Sequence, residues 1–379
     1  MKEQTWAKEA IASIERKLYK VAARSRGIIP YTTVDGRFDD TSKNNICWWT
    51  NGFFGGMMWQ MYHYTGSELY KEIAIENEEK LDVNLMIPSG MDHDSGFKWL
   101  PTAVAHYKLD GNEQSFRRGL LAAENLAGRF NPAGSFIRAW NDSGDGSNAG
   151  VAIIDCMMNL PLLYWATEVT NDPRFSQIAM RHADMAMKYF IRENGSAIHI
   201  GKFNPATGEF LHSVGGQGYG EGSSWTRGQA WALYGFTLSA LHTGNQAYLE
   251  TAKRVADNFI LQMDERPDMG IPVDFDQPED CRREDSSAAA IAACGLLELG
   301  RIDEKYCEAA LKLLKFLCEN RLSLDEDTDY LLWNCADSFW SSCEQMTLIY
   351  ADYFLIEALL KLIDKDLPVF KSEKGMILK

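Results

Sequence analysis

The strongest constraint on the fold is a recurring unit, in which an apolar helical pattern, a short polar turn and a second helical pattern follow one another. The copies, the last of them weaker, are MMWQMYHYTGSELYKEIAIENEEKL, AVAHYKLDGNEQSFRRGLLAAENLAGRF, LLYWATEVTNDPRFSQIAMRHADMAMKYF, YGFTLSALHTGNQAYLETAKRVADNFILQM and IAACGLLELGRIDEKYCEAALKLLKFL. Gly, Asn, Asp and Pro in the turns stop one helix and let the next begin. Each unit therefore predicts a helix hairpin.

Two further helical patterns, at about residues 3–25 and about 342–364, are left at the chain ends, and we expect them to pair and close a ring. The hairpins and this pair predict an all-α (α/α)6 barrel, a toroid of six helix hairpins, formed by residues 1–379 as one domain. Strand signals are confined to short pieces such as SAIHIGKF and GSFIRAW. The linkers between hairpins are long and rich in Gly, Asp, Trp and Ser, and in a toroid they can gather at one end and form a pocket.

Composition limits the partners and the compartment. The net charge of −15 argues against nucleic acid and anionic membrane surfaces, and a small anionic ligand would need a local site of Arg and amide donors. The N-terminal stretch lacks a signal-peptide run, and no segment reaches the roughly 18 apolar residues of a membrane helix. The eight cysteines form no C-x-x-C pair, which favours free thiols in a reducing compartment. We therefore expect a cytoplasmic protein.

The segment M-D-H-D-S-G-F, residues 91–97, places Asp92, His93 and Asp94 in succession. A metal site, a catalytic or substrate-binding site, and an acidic helix start are the alternatives. The other histidines form no H-x-x-x-H or H-x-H pattern, and adjacent ligands at 93 and 94 would bind one metal awkwardly. We expect no metal and no cofactor.

A second segment, S-N-A-G-V-A-I-I-D-C-M-M-N-L-P at residues 147–161, predicts a helix capped by Ser147 or Asn148 with Asp155 about two turns in. Its apolar neighbours would desolvate the carboxylate and raise its pKa, the condition for a general acid near neutrality. Asn159 would hold the orientation of the acid, and Pro161 would kink the helix. The alternative is a structural Asp bonded to a neighbouring helix.

A third segment, E-G-S-S-W-T-R-G-Q-A-W at residues 221–231, follows the Gly-rich run 215–220. Trp225 and Trp231 could stack on a sugar ring, and the guanidinium of Arg227 offers a planar fork for a carboxylate. Trp48 and Trp140 fall in or beside other linkers. Each Trp alone is more often a core residue, but together with the carboxylates and the single Arg they indicate a site for an acidic sugar.

Several of these motifs together carry a family resemblance. They are H-D-S-G-F at 93–97, A-I-I-D-C-M-M-N-L-P-L-L at 152–163, S-S-W-T-R-G-Q-A-W at 223–231 and D-S-S-A-A-A-I-A-A at 285–293. In order and spacing, over essentially the whole chain, the sequence resembles the unsaturated glucuronyl hydrolases of glycoside hydrolase family 88. That family has the (α/α)6 barrel that the hairpins predict independently.

The resemblance implies roles for individual residues. Asp155 would be the general acid/base and Asp94 the second essential carboxylate. The implied substrate-binding residues are His93, Gln217, Trp225 and Arg227 and, by looser matches, Trp48, Trp140, His199 and Trp231. A C-terminal segment can meet substrate sulfate in the family; here it reads FKSEKGMILK, with Lys371, Ser372 and Lys374, and matches imperfectly.

The implied reaction removes a 4,5-unsaturated glucuronic acid from the non-reducing end of lyase-generated glycosaminoglycan oligosaccharides. The partners would be unsaturated uronic-acid oligosaccharides of chondroitin, hyaluronan or heparin type, bound by a monomer or small homo-oligomer. The acid would protonate C4 of the vinyl ether while water adds at C5. An unsaturated rhamnogalacturonyl hydrolase on the same fold, a sugar 2-epimerase and a non-catalytic sugar-binding protein stay open as alternatives.

Overall fold

The computed structural model describes residues 5–142, 144–266, 270–343 and 345–372. The long helices of this part of the chain are α1 Thr5–Arg24, α2 Phe53–Thr65, α3 Glu68–Lys80, α4 (Ser95–Trp99, Leu100–Val104 and Ala105–Asp110 in succession), α5 Glu113–Gly128, α6 Leu160–Thr170, α7 Pro173–Tyr189, α8 Thr226–Thr243, α9 Gln246–Asp264, α10 Ser286–Leu299, α11 Glu304–Asn320 and α12 Ile349–Leu362. The middle piece of α4 is a π turn that contains Pro101, which cannot donate a helical hydrogen bond.

The even-numbered helices form the inner ring and the odd-numbered helices surround it. Helix α10 is buried along its whole length because it is apolar on every side, as a helix between two layers must be. Helix α7 buries only one face, with Phe175, Ala179, Ala183 and Ala186 at helical spacing. The inner helices pack in sequence, and α12 closes the ring against α2. This architecture is the (α/α)6 barrel that the sequence predicts.

The two end helices pair as expected, since α1 packs on α12 and on α3. Helix α12 begins at Ile349, later than the expected start at about residue 342. The described residues before it, 333–343 and 345–348, are instead irregular, and the backbones of Cys335 and Met346 exchange hydrogen bonds there. These residues therefore take over part of the predicted helix and add to one end of the ring.

Short strands lie in the linkers. They are β1 Thr33–Val34, β2 Arg37–Phe38, β3 Phe130–Asn131, β4 Phe136–Ile137, β5 Val151–Ile153, β6 Ile200–Phe203 and β7 Phe210–Val214. The strands β5, β6 and β7 form an antiparallel sheet in that order, with Ile153 opposite Ile200 and Ile200 opposite Val214. The strand predictions within SAIHIGKF and GSFIRAW are confirmed by β6 and β4.

The predicted helix starting at Ser147 or Asn148 is wrong. Residues 151–153 form β5, Ile154–Met158 is a short 3-10 helix, and α6 begins only at Leu160. The β-branched Val151 and Ile153 favour the strand, which finds its partner in β6, some fifty residues later in the chain. Pro161 lies in the first turn of α6, where no N–H is needed, so it starts the helix and does not kink it.

The ends of the ring differ. The linkers that precede the inner helices gather at their N-terminal ends, whereas residues 363–372 cross the C-terminal ends. There the side-chain amide of Gln60 pairs with the backbone of Leu367, donating at 3.0 Å and accepting at 2.9 Å. His242 Nε2 lies 2.9 Å from the carbonyl oxygen of Phe370. The C-terminal segment thus closes the end of the barrel that lies opposite to the linkers.

Lys371 belongs to this closure. Its Nζ lies 3.0 Å from Glu298 Oε1, at the C-terminal end of α10. Since Glu298 lies in the last turn of α10, Lys371 is held at the end of the ring opposite to the linkers. Ser372 follows it at the same end, next to Glu168 near the C-terminus of α6. Lys374 lies outside the described residues.

Within the described ranges, no helix combines the length and the apolar character needed to cross a lipid bilayer.

Candidate active site

A cavity of about 630 Å³ opens at the N-terminal ends of the inner helices. Its size falls in the ordinary range for small-molecule sites, roughly 300–1,000 Å³. The residues that line it come from almost every linker of that end: Tyr31, Asn45, Cys47, Trp48, Trp49, Ser89, Gly90, Asp92, His93, Asp94, Trp140, Asn141, Ile153, Asp155, His199, Gln217, Arg227, Asp337, Ser338 and Tyr350. Of the predicted site residues, the structure brings all but Trp225 and Trp231 into this lining.

Asp155 lies two residues after the end of β5, as the second residue of the 3-10 turn Ile154–Met158 that leads to α6. Burial raises the pKa of its carboxyl to about 7, while the positive charge of Arg227 acts in the opposite direction. The Oδ1 atom accepts no hydrogen bond within the described protein, and His199 Nε2 lies 3.7 Å away. A carboxyl in this state can hold a proton near neutral pH and deliver it into the cavity.

Asp94 immediately precedes α4 and lies against the same cavity. Its backbone N–H donates to Asp92 Oδ1 at 3.0 Å, and its Oδ1 accepts from Asn159 Nδ2 at 3.2 Å. Its Oδ2 lies 3.4 Å from His93 Nε2. Asp92 acts here as a turn residue, because its side chain holds the backbone of Asp94.

The charges around Asp94 push its pKa upward. Burial raises the pKa well above the usual range, and the negative charges of Asp92 and Asp155 add to the shift. Lys98 and the hydrogen bond from Asn159 act against it. Two buried carboxyl groups of one cavity thus both favour the protonated form, and their titrations are linked.

Asn159 joins the two acidic segments. Its Oδ1 accepts from the backbone N–H of Phe97 at 2.8 Å, while its Nδ2 donates to Asp94 and to the carbonyl oxygen of Asp155 at 3.3 Å. Asn159 thus holds the carboxyl of Asp94, and not the carboxyl of Asp155 that its position four residues further on predicted. Gly96 permits this approach, because a Cβ there would lie 2.6 Å from Asn159 Cα.

Both histidines of the cavity are neutral. Burial lowers the pKa of His93 to about 4 and that of His199 to about 3. His199 Nδ1 accepts from the backbone N–H of Gln217 at 3.0 Å, so the ring proton lies on Nε2, which faces Asp155. Gly216 allows this contact, since it has φ +60° and a Cβ there would lie 2.1 Å from the same Nδ1.

The sequence predicts that the guanidinium of Arg227 is open to a ligand, but in the structure protein groups bind most of it. Its Nη1 binds Asp285 Oδ2 at 2.8 Å and the carbonyl oxygen of Ala336, and its Nη2 binds the carbonyl oxygen of Asp337 at 2.6 Å. The side chain is buried and packs over the ring of Trp225 at 4.4 Å. Arg227 therefore presents its charge to the cavity while protein groups occupy much of its donor fork.

The remaining predicted side chains divide into two groups. Trp48 and Trp140 line the cavity, as does Gln217, whose Nε2 donates to the carbonyl oxygen of Asp337 at 2.6 Å. Trp225 lies behind the wall and packs against His199 at 4.2 Å. Trp231 is fully buried in the core, where it packs on Phe97 and Phe354, so the expectation that it contacts a ligand is wrong.

Six of the buried polar side-chain atoms that have no partner in the described protein belong to residues that line this cavity. They are Trp48 Nε1, His93 Nδ1, Asp155 Oδ1, Arg227 Nε, Asp337 Oδ1 and the hydroxyl of Tyr350. Buried polar groups are nearly always paired in folded proteins, so a group of such atoms around one cavity marks a place for polar ligand atoms.

Sequence reasoning missed Tyr31, Asp337 and Tyr350. Asp337 lies in the linker W-N-C-A-D-S-F-W at residues 333–340, and nothing in that sequence shows that its side chain lines the cavity. Tyr31 and Tyr350 come from opposite ends of the chain and meet only when the ring closes. Their distance in sequence left no local signal. In the described part of the chain, no three His, Cys, Asp or Glu side chains are grouped as metal ligands would be.

The molecule is a ring of six helix hairpins, and a cavity at one end of the ring is lined by buried carboxyl groups and aromatic side chains. These features define a glycoside hydrolase of the (α/α)6-barrel class. The chain belongs to glycosyl hydrolase family 88, whose model matches residues 22–339. It is 36% identical to the unsaturated glucuronyl hydrolase of Bacillus sp. (strain GL1), over 86% of this chain and 89% of that protein.

A second relative and a solved structure support this family assignment. The unsaturated chondroitin disaccharide hydrolase of Streptococcus pyogenes serotype M1 is 31% identical, over 83% of this chain and 80% of that protein. The crystal structure of the Bacillus sp. GL1 unsaturated glucuronyl hydrolase superimposes with a TM-score of 0.91, covering 97% of this chain and 99% of that chain at 31% identity. The likeness therefore extends over the whole barrel, including the linkers that build the cavity.

Proposed function

We propose that this chain removes a 4,5-unsaturated glucuronic acid from the non-reducing end of glycosaminoglycan oligosaccharides left by polysaccharide lyases. The observation that carries the proposal is the carboxyl of Asp155, which is buried, has a pKa raised to about 7 and turns an unpaired oxygen toward the cavity. Support comes from the Bacillus relative, described as responsible for glycosaminoglycan degradation, and from the streptococcal relative, named for unsaturated chondroitin disaccharides.

The C4=C5 bond of such a sugar is part of a vinyl ether, and its protonation begins the reaction. Asp155 transfers its proton to C4, and the ring oxygen stabilises the positive charge that develops at C5. Water then adds its oxygen to C5 and returns a proton to the Asp155 carboxylate. The resulting hemiketal opens to a C5 ketone, and the hemiacetal at C1 releases the neighbouring sugar. Unlike ordinary glycosidases, the acid acts on carbon and not on the glycosidic oxygen.

The other side chains of the cavity bind the substrate and orient it. The carboxyl of Asp94 accepts from or donates to the sugar hydroxyls, and Asn159 keeps it in place. The Arg227 charge, held by Asp285, attracts the substrate carboxylate without a freely moving side chain. Trp48 and Trp140 offer ring surfaces to the sugars, which matches their position in the lining.

The test compares substrates by loss of the ultraviolet absorbance of the conjugated double bond. We expect this absorbance to fall with the unsaturated, unsulfated chondroitin disaccharide. Its saturated counterpart lacks the vinyl ether and the absorbance, so it is followed by chromatography, and we expect it to stay intact. Turnover confined to an unsaturated rhamnogalacturonan disaccharide would replace the proposal by the pectin-directed alternative. Binding of the chondroitin disaccharide without turnover would support the non-catalytic alternative instead.

A further inference from the structure

Exposed aromatic side chains concentrate beside the cavity. Among the described residues, the large aromatic rings that are most open to solvent are Trp340, Tyr19, Trp140 and Tyr219, with exposures of 69%, 47%, 41% and 37%. Trp140 lines the cavity, and Tyr219 and Trp340 each lie two residues from a lining residue, Gln217 and Ser338 respectively. Only Tyr19 lies elsewhere, on the outer helix α1. This distribution points to a surface that a ligand covers.

Tyr219, Phe339 and Trp340 form one cluster, which we name the rim platform. The rings of Tyr219 and Trp340 are nearly parallel, at 24° with centroids 6.0 Å apart. Phe339 is buried beneath them and meets Tyr219 edge-on at 5.0 Å and Trp340 edge-on at 4.9 Å. The two exposed rings therefore rest on a shared base and present apolar faces to solvent.

One backbone hydrogen bond joins the rim platform to the wall of the cavity, and a second hydrogen bond joins it to the side chain of Asp274, which is outside the lining. The N–H of Phe339 donates to the carbonyl oxygen of Gln217 at 2.8 Å, and the N–H of Tyr219 donates to Asp274 Oδ2 at 2.8 Å. Arg283 lies over the Phe339 ring at 5.7 Å and binds the Phe339 carbonyl oxygen. The rings are thus held in position before any ligand arrives, which lowers the entropy cost of binding.

We propose that the rim platform is a subsite for sugar rings on the reducing side of the substrate, beyond those that the cavity itself holds. The proposal rests on the proposed function. Sugar rings present apolar C–H faces that pack on aromatic rings, and an oligosaccharide leaving the cavity would continue over adjoining surface. Two exposed rings continuous with the cavity wall match the size of one sugar unit, whereas a protein partner requires about 1,000 Å² of interface. The platform makes the enzyme favour longer oligosaccharides.

The test measures kcat/KM for an unsaturated disaccharide and an unsaturated tetrasaccharide of the same unsulfated repeat. For Trp340→Ala we expect kcat/KM to fall about fivefold with the tetrasaccharide and to stay within about twofold of wild type with the disaccharide, as the loss of one aromatic contact predicts. Trp340→Phe keeps an aromatic face and should retain most of the tetrasaccharide rate. Tyr19→Ala, which removes an exposed ring far from the cavity, should alter neither rate.

The outcomes separate the two proposals. If Trp340→Ala changes both substrates equally, or neither, while wild type consumes both, the rim platform is not a sugar subsite. If wild type consumes neither substrate, the proposed function itself is wrong. Because Trp340 is largely exposed, its replacement should leave the thermal unfolding midpoint unchanged, and that measurement excludes misfolding as the cause of a lower rate.

Discussion

Asp155 and Asp94 line the same cavity, but different charged groups surround each carboxyl. Burial raises the pKa of both carboxyl groups. The positive charge of Arg227 acts against this shift at Asp155, whereas the negative charges of Asp92 and Asp155 add to it at Asp94. The sequence could predict that Asp155 would be desolvated, because its neighbours are apolar. It could not predict the balance of charges, which depends on contacts between distant segments.

The first prediction concerns pH. The pKa of Asp155 rises from 3.8 to about 7, so the folded enzyme keeps this proton through the range in which an exposed carboxyl would lose it. Turnover should therefore be highest below pH 7 and fall as the pH rises through 7, about tenfold for each further unit. The measurement is kcat for the unsaturated disaccharide from pH 5 to 9, with circular dichroism to show that the fold persists. A kcat that stays level up to pH 9 would exclude Asp155 as the general acid.

For two other residues, the type of side chain did not predict its surroundings in the folded protein. The sequence predicts that the guanidinium of Arg227 binds a ligand, whereas in the structure Asp285 and two backbone carbonyl groups bind it. Trp231 lies in the same motif but falls on the core side of α8. Because both residues lie in the first two turns of a helix that is buried on all sides, the sequence contains no polar face that would distinguish cavity from core.

At the scale of elements, the long amphipathic helices were predictable and the linkers were not. Outer helices such as α7 carry apolar residues on one face, and Asp172 caps α7 by accepting from Arg174 N–H. The continuous apolar run around Asp155 has no period that separates a buried strand from a buried helix. Its strand partner β6 decides the structure, and that partner lies in another linker. The error left Asp155 at the correct end of the barrel but on the wrong element.

The second prediction concerns the connection that Asn159 makes between two elements. Asn159→Ala removes the donor to Asp94 and leaves the buried N–H of Phe97 without an acceptor, which should cost about 1–3 kcal/mol of folding free energy. Because Asp94 loses its orientation, kcat should fall at least about tenfold, which corresponds to a rise of roughly 1.4 kcal/mol in the activation free energy. Steady-state kinetics on the unsaturated disaccharide measures this effect.

Asn77→Ala provides the matched control. Asn77 is also fully buried, but it bonds to Ile73 within the outer helix α3. Its replacement should lower stability and leave kcat and KM unchanged. Equal kinetic effects of the two replacements would mean that Asn159 acts only through stability and does not position Asp94.

In the whole molecule, one end of the ring holds the cavity and the other end is closed by the C-terminal segment. Recurring hairpins predicted the ring because each hairpin buries its apolar face only against its neighbours. The ring aims the N-terminal ends of its inner helices at the cavity, and their dipoles favour an anionic substrate despite the net charge of −15. The C-terminal segment closes the other end, where Lys371 pairs with Glu298. No sequence pattern showed which end that segment would cover.

The central claim is that Asp155 supplies the proton to C4, and the most direct measurement is turnover of the unsaturated disaccharide by Asp155→Asn. The amide is close in size to the carboxyl but carries no transferable proton, so the fold and the cavity should persist. We predict that kcat falls at least about a thousandfold, or roughly 4 kcal/mol in the barrier, while the variant still binds the disaccharide. Full activity of Asp155→Asn would contradict the account.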